Sequence, residues 1–122
     1  MNRDETRQNY LEAVYILNKR IANVRAIDIC EYLGFSRPTV SVALRQLKDE
    51  GYLDIIDNLV TLKDKGLEEA EMIYERHQIL ASILMDIGVD EETAYEDACK
   101  VEHYLSEVSF DAIKKAYHHH HK

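Results

Sequence analysis

The stretch that decides the fold is FSRPTVSVALRQLKDEGYL, residues 35–53. Ser36 is suited to cap a helix, and Pro38 falls in the first turn, where a missing N–H costs nothing. Apolar residues then recur at helical spacing, which gives the helix one face for a core. Residues 26–33, immediately before this stretch, predict a short helix that Gly34 ends. Two helices joined by a tight glycine-containing turn form the helix-turn-helix pattern.

A small hairpin is predicted directly after this motif. Two short β-prone runs, Leu53–Ile56 and Leu59–Leu62, flank Asp57 and Asn58. Both central residues tolerate the positive φ that a tight hairpin requires. A helix-turn-helix followed by such a hairpin is a winged helix, which we favour over a generic helical domain carrying a hairpin.

The rest of the chain is predicted to be helical. Amphipathic patterns indicate helices at residues 4–20, 66–87, 91–106 and 109–117. We therefore expect a mainly α protein, with a winged helix-turn-helix domain in residues 1–65 and a helical second domain in residues 66–122.

Composition and charge narrow the class of protein. The chain has 122 residues, of which 46% are hydrophobic and 31% charged, and its two cysteines give no disulfide framework. No apolar run approaches the roughly 20 residues of a membrane span, and the N-terminus lacks a signal-peptide core, so we expect a cytoplasmic protein with no membrane partner. Residues 1–65 carry ten basic and ten acidic side chains, whereas residues 66–122 carry five and thirteen. We therefore expect DNA contacts in the first segment and cations in the second.

The second helix of the motif has a small, polar leading edge. A helix-turn-helix places this end against base edges, where hydroxyls bond phosphate or base and an arginine suits guanine or phosphate. The candidate contacts to double-stranded DNA are Ser36, Arg37, Pro38, Thr39, Ser41, Arg45, Lys48 and Lys63. Any one of these residues has an equally plausible capping or solvated role, but the set as a whole favours DNA.

A second stretch, ACKVEHYLS at residues 98–106, places a thiol, a carboxylate and an imidazole three and four residues apart. On a helix turning 100° per residue these side chains fall within an arc of about 100°, beside the apolar stripe. Other helices add further candidates on their inner faces. The candidate ligands for a divalent cation are Asn9, Glu12, His77, Cys99, Glu102 and His103.

Each of these residues also has an ordinary structural interpretation. His77 suits a hydrogen-bonded core histidine, Cys99 a small buried hydrophobe and Glu102 a surface charge. A carboxylate beside an apolar stripe costs free energy unless a partner is close, so the combination favours metal. No Gly-rich loop or separate nucleophile accompanies the cluster, so we expect no enzyme. A metal-independent winged-helix regulator, sensing an organic ligand or redox state through Cys99, remains the alternative.

Taken together, these segments resemble the diphtheria-toxin-repressor family of metal-dependent transcriptional regulators, especially its short, two-domain manganese-type members. The resemblance covers nearly the whole chain. It rests on NYLEAVYIL, SRPTVSVALRQLKDEGYL, VTLKDKGLEEAE, YERHQIL and GVDEETAYEDACKVEHYLS. It implies a repressor of metal homeostasis with a winged-helix domain, a helical dimerisation domain and metal bound between them. It further implies a homodimer that presents two recognition helices to a pseudo-palindromic operator.

The resemblance also assigns roles to single residues. It carries ligand roles onto Glu12, His77, Cys99, Glu102 and His103. Family members have glutamate at position 99 in manganese sensors and cysteine in iron sensors, so Cys99 gives this short architecture an iron-type ligand. Because thiolate is softer than the oxygen ligands Mn²⁺ prefers, we expect Fe²⁺ first and Mn²⁺ second, with Zn²⁺, Co²⁺ or Ni²⁺ binding in vitro.

The chain departs from the family pattern at three positions. Asn9 stands where an aspartate or a methionine is usual, which leaves its ligand role open. Ala81 and Tyr95 replace residues that serve a second metal in related proteins, and both weaken the case for one here. The run His118–His121 is either a native metal-binding tail or part of an expression tag.

Overall fold

The computed structural model describes residues 3–120 and divides into two compact units, one ending at Met72 and the other beginning at Ile73. The elements are α1 (Arg3–Arg20), α2 (Ala26–Leu33), α3 (Arg37–Asp49), β1 (Leu53–Ile56), β2 (Leu59–Leu62), α4 (Asp64–Asp86), α5 (Glu91–Val101) and α6 (Glu107–His120). The mainly α fold with an N-terminal winged helix-turn-helix is confirmed. The functional boundary expected between residues 65 and 66 stays a prediction.

The helix-turn-helix forms through the local signals that its sequence carries. Gly34 closes α2 in a left-handed conformation with φ of 74°, which a residue without a Cβ adopts at no steric cost. Ser36 then caps α3, because its Oγ accepts a 3.3 Å hydrogen bond from the Thr39 backbone N–H and donates a 2.8 Å bond to the Thr39 hydroxyl. Pro38 lies in the first turn, as expected.

The wing is a two-stranded antiparallel hairpin with the predicted strand bounds. Leu53 pairs with Leu62 and Ile56 with Leu59. The two turn residues between the strands, Asp57 and Asn58, have φ values of 53° and 66°, the conformation of a tight two-residue turn.

The core of the first unit gathers apolar side chains from every element up to the start of α4. Its buried members are Tyr10, Leu11, Val14, Leu17, Val24, Ile29, Cys30, Val40, Leu44, Leu47, Leu53, Val60 and Ala70. Two contacts hold the start of α4 in this unit. Arg7 on α1 donates to both carboxylate oxygens of Glu69, with Nη2 2.8 Å from Oε1. At Gly66 a Cβ would lie 2.0 Å from the carbonyl oxygen of Tyr52, so only glycine allows this close approach.

The second unit has its own core between α4, α5 and α6. Its buried members are Ile79, Leu80, Ala81, Ala94, Ala98 and Phe110. The residues flanking this core are half-buried side chains such as Ile83, Leu105 and Ile113. Among the helices of residues 3–120, none combines the length and the apolar character that a membrane crossing requires.

The prediction of one helix over residues 91–106 was wrong. α5 ends at Val101, and a turn follows in which the Tyr104 N–H bonds to the Val101 carbonyl at 3.0 Å. Ser106 starts the next helix instead of ending this one, since its Oγ accepts a 3.1 Å bond from the Ser109 N–H. α6 is accordingly longer than the predicted 109–117.

The cap of α5 makes the stability of the protein dependent on pH. The Asp90 carboxylate accepts a 3.0 Å hydrogen bond from the Thr93 N–H, which lowers the pKa of Asp90. Because the folded pKa is the lower one, this stabilisation is full above the unfolded pKa of about 3.9 and is lost as pH falls through the folded value. We expect Asp90→Ala to lower the melting temperature by a few degrees at neutral pH, with a smaller loss in acid.

Asp90→Asn is the matched control, because asparagine caps a helix about as well as aspartate but does not titrate. Thermal melts followed by circular dichroism across the acid range test the prediction. A loss in Asp90→Ala that stays the same down to the lowest pH would contradict it.

Candidate metal centre and nucleic-acid interface

The end of α5 brings three different ligand types together. Cys99 lies in the last turn of α5, Glu102 at its C-cap and His103 in the turn that follows. One ligand atom from each, a sulfur, a carboxylate oxygen and a ring nitrogen, lies within 4.8 Å of the others. The chain thus converges these groups although they do not share one continuous helix.

The burial of this cluster fits a cation. The Glu102 side chain has no exposed surface and that of His103 is 2% exposed, with His103 Nε2 3.7 Å from Glu102 Oε1. The structure therefore excludes the surface-charge interpretation of Glu102. A fully buried carboxylate carries a large desolvation cost, which nearby positive charge offsets. A set of thiolate, carboxylate and imidazole donors is one that divalent transition metals bind.

His77 adds a second imidazole from α4 within the same unit. One ligand atom of His77 and one of Glu102 lie within 4.8 Å of each other. The His77 Nε2 is 3.1 Å from the Tyr95 carbonyl oxygen, and the two rings meet edge to face with centroids 5.4 Å apart. A carbonyl only accepts, so His77 Nε2 carries a proton and donates this bond. Tyr95 thereby fixes the orientation of a potential ligand.

The two candidate ligands on α1 belong to the first unit. Glu12 is buried, with 6% of its surface exposed, and Asn9 is half-buried. Both lie on one face of the helix, as expected from their spacing of three. Their assignment as ligands stays a prediction.

A basic cleft of about 530 Å³ lies in the first unit, between α3, the start of α2 and the wing. It contains four of the predicted DNA contacts, namely Arg37, Ser41, Arg45 and Lys48. Of the residues that line it, four are basic and none is acidic, so the cleft concentrates positive charge within residues 1–65, whose sequence is neutral on balance.

The cleft also includes residues that the sequence analysis missed. Arg25, at the N-cap of α2, and Asn58, at the wing tip, both line it. A helix N-terminus preceded by an arginine favours anions, and that local signal was available in the sequence.

The other four predicted DNA contacts lie outside this cleft. Ser36, Pro38 and Thr39 are exposed at the N-terminal end of α3, where Ser36 and Thr39 also form the cap. Lys63 follows β2, is exposed, and donates its backbone N–H to the Tyr52 carbonyl. All of these contacts stay predictions.

The sequence matches two adjacent domains of one family. Residues 4–58 match the N-terminal DNA-binding domain of the iron-dependent repressors, and residues 63–122 match their metal-binding and dimerisation domain. The transcriptional regulator MntR of Escherichia coli O6:H1 is 34% identical over 114 residues, which covers 93% of this chain and 74% of that protein. An uncharacterized HTH-type transcriptional regulator of Methanocaldococcus jannaschii is 31% identical over 110 residues, covering 88% of each protein.

A solved structure with a similar fold belongs to a transcriptional repressor as well. A manganese-dependent transcriptional repressor in complex with manganese aligns with a TM-score of 0.83 at 26% identity. The alignment covers 91% of this chain and 52% of that one, so the present chain spans about half of that repressor.

The thiol in the cluster gives the metal centre a spectroscopic signature. If Cys99 is a ligand, adding Co²⁺ produces a thiolate-to-metal charge-transfer band, and we expect Cys99→Ser to abolish it and to weaken Co²⁺ binding. Cys30→Ser is the matched control, because Cys30 is the other cysteine and is buried in the core of the first unit. Absorption titrations on protein ending at Tyr117 test this. Retention of the band in Cys99→Ser would remove Cys99 from the site.

Proposed function

The chain belongs to the iron-dependent repressor family of metal-dependent transcriptional repressors, and we propose that a divalent cation activates it for operator binding. It is a DNA-binding regulator and not an enzyme. The observation that carries the proposal is the convergence of Cys99 and His103 on the carboxylate of Glu102, which has no exposed surface. Such a cluster is costly to maintain without positive charge beside it.

In this proposal the ligands are Cys99, Glu102 and His103, with His77 contributing a ring nitrogen. When bound, the cation supplies positive charge to the clustered acidic groups and joins ligands from separate helices. The side chains themselves exclude water, since Glu102 and His103 are almost fully buried. The closed character of the cluster fits a structural or regulatory metal better than a catalytic one.

Family resemblance adds Glu12 to the ligand set, with Asn9 as a further candidate. Glu12 lies on α1, the helix that also supplies four residues to the core around the helix-turn-helix. Ligation by Glu12 would therefore couple metal occupancy to the DNA-binding unit. By linkage, operator DNA then tightens metal binding by the same factor as metal tightens DNA binding.

We propose Fe²⁺ as the activating metal, ahead of Mn²⁺. The thiol of Cys99 supports this ranking, because Mn²⁺ prefers oxygen ligands and a soft donor shifts preference toward Fe²⁺ and later metals. The aligned solved structure points the other way, since it is a manganese-dependent repressor in complex with manganese. Zn²⁺, Co²⁺ and Ni²⁺ are expected to bind in vitro by raw affinity.

The DNA partner is proposed to be a pseudo-palindromic operator read by a homodimer. The match to a dimerisation domain supports the dimer, as do large apolar side chains left exposed near the α5–α6 turn, among them Val101, Tyr104 and Val108. A two-fold axis would place two copies of α3 one turn of DNA apart, about 34–36 Å, or a multiple of it. The basic cleft beside α3 supports phosphate binding on the same face.

Removal of a metal ligand should uncouple DNA binding from metal. We expect metal to raise the affinity of the wild-type protein for its DNA by about 5- to 150-fold, the usual range of such couplings. Glu102→Gln and His103→Ala should lose this gain and keep their helical content. The measurement is anaerobic fluorescence anisotropy with Fe²⁺, Mn²⁺ and Zn²⁺ titrated separately. The DNA is a duplex selected from a random-sequence pool by metal-loaded protein.

Protein ending at Tyr117 should be used throughout, because the histidine run binds metal nonspecifically. Glu107→Gln is the control, since Glu107 is an exposed carboxylate in the first turn of α6. If the affinity of the wild-type protein for DNA is the same with metal, without metal and with chelator, the metal-independent alternative is correct. A larger gain with Mn²⁺ than with Fe²⁺ at equal free concentration would reverse the proposed ranking.

The basic cleft should contribute phosphate contacts. The plot of log affinity against log salt concentration has a slope of about −0.9 for each phosphate contact. Arg25→Ala and Arg45→Ala should therefore each reduce the magnitude of this slope by about 0.9. Arg20→Ala is the control, because Arg20 is exposed at the end of α1 and is absent from the cleft lining. Affinities measured over a salt series decide this. Equal slopes for Arg25→Ala and wild type would exclude Arg25 from the interface.

A further inference from the structure

Glu102 and His103 lie where α5 passes into a turn, and the Glu102 N–H still donates a 3.0 Å hydrogen bond to the Ala98 carbonyl. α5 ends at Val101, so Glu102 is its C-cap and His103 lies in the turn that follows. The last carbonyl groups of a helix have no partner within it and need one from elsewhere. Because this bond holds only the N–H side of Glu102, the course of the turn that follows and carries His103 depends on what binds its carbonyls.

One buried arginine side chain binds two of these carbonyls. Arg76 on α4 is 8% exposed, and its Nη1 donates to the Glu102 carbonyl at 3.3 Å and to the Leu105 carbonyl at 3.4 Å. The two bonds are long, but a charged donor at the negative end of a helix dipole strengthens them. Arg76 thus spans the turn from one side of His103 to the other.

The guanidinium is itself fixed in place by α6. Its Cζ lies 5.0 Å from the centroid of the Phe110 ring, a cation–π distance, and Phe110 is 4% exposed. Burying an arginine is costly unless its contacts are specific, and within residues 3–120 its Nε has no hydrogen-bond partner. An apolar residue would fill this space at a lower cost, so packing alone does not account for the arginine.

We propose that Arg76 is the positioning residue of the metal centre, which orders the turn 102–105 so that Glu102 and His103 are preorganised as ligands. This inference rests on the proposed function, because it concerns the same ligand cluster. Arg76 directly precedes His77 on α4, so one turn of α4 supplies both a candidate ligand and the residue that orders two others. Cys99 lies within α5 and does not need this support.

The substitution Arg76→Met keeps much of the side-chain volume and removes the donors and the charge. In the metal-free protein we expect faster hydrogen exchange of the amides in residues 102–105, with exchange in the middle of α4 unchanged. We expect Co²⁺ affinity to fall by about 10- to 100-fold, the usual cost of losing a group that orients a ligand. The charge-transfer band of Cys99 should still form at saturating Co²⁺.

A double-mutant cycle separates positioning from a general loss of stability. If Arg76 acts through Glu102, Arg76→Met should cost less Co²⁺ affinity in the Glu102→Gln background than in the wild type. Equal losses in both backgrounds would overturn the inference, and so would wild-type affinity in Arg76→Met. A wild-type protein that does not bind Co²⁺ would instead overturn the proposed function itself.

Two further variants keep the test decisive. Lys114→Met removes a cation that pairs with Glu75 between the same two helices but at the surface, and we expect its Co²⁺ affinity to change by no more than about 2-fold. Arg76→Lys keeps the charge without the planar fork, and should fall between Arg76→Met and wild type. If Arg76→Met fails to fold, wild-type exchange and affinity in Arg76→Lys would contradict the role.

Discussion

The buried carboxylate of Glu102 is the constraint on which the second unit depends. A carboxylate without exposed surface is stable only where positive charge and donors lie close. Here the imidazole of His103 lies within 3.7 Å, and the guanidinium of Arg76 binds the backbone of the same residue. Three features of the unit meet at this residue. They are a helix that ends early, a buried arginine and three ligand types within 4.8 Å.

Most of the fold could be predicted from the sequence because its signals are local. The cap at Ser36, the left-handed Gly34 and the two positive-φ turn residues each act within four residues of themselves. Their chemistry fixes the boundaries of α2, α3, β1 and β2 without reference to the rest of the chain. The same kind of signal at Ser106 was present but was overlooked, because apolar periodicity continued across residues 98–105 and suggested an unbroken helix.

The candidate site was less predictable. The spacing of Cys99, Glu102 and His103 predicted that the three side chains converge, but on one continuous helix, whereas Glu102 is the C-cap of α5 and His103 lies in the turn that follows. Arg76 could not be found from spacing, because its role depends on carbonyls 26 and 29 residues away. Arg25 carried a local signal, an arginine at a helix N-terminus, which shows that it favours anions but not which surface it joins. Its place in the cleft follows from the packing of α2 against α3 and the wing rather than from its own neighbours.

The wing turn has a consequence for the extent of the DNA footprint. Each strand has four residues, so at about 3.3 Å per residue the wing extends only about 13 Å. Its tip consists of a carboxylate and an amide, Asp57 and Asn58, with no arginine or lysine to enter a minor groove. Phosphates repel a negatively charged tip. The wing tip therefore offers no basic side chain for sequence recognition outside the major groove. For the proposed homodimer and operator, each half-site would then be short, and recognition would depend mainly on the bases beneath α3 and on the distance between the two half-sites.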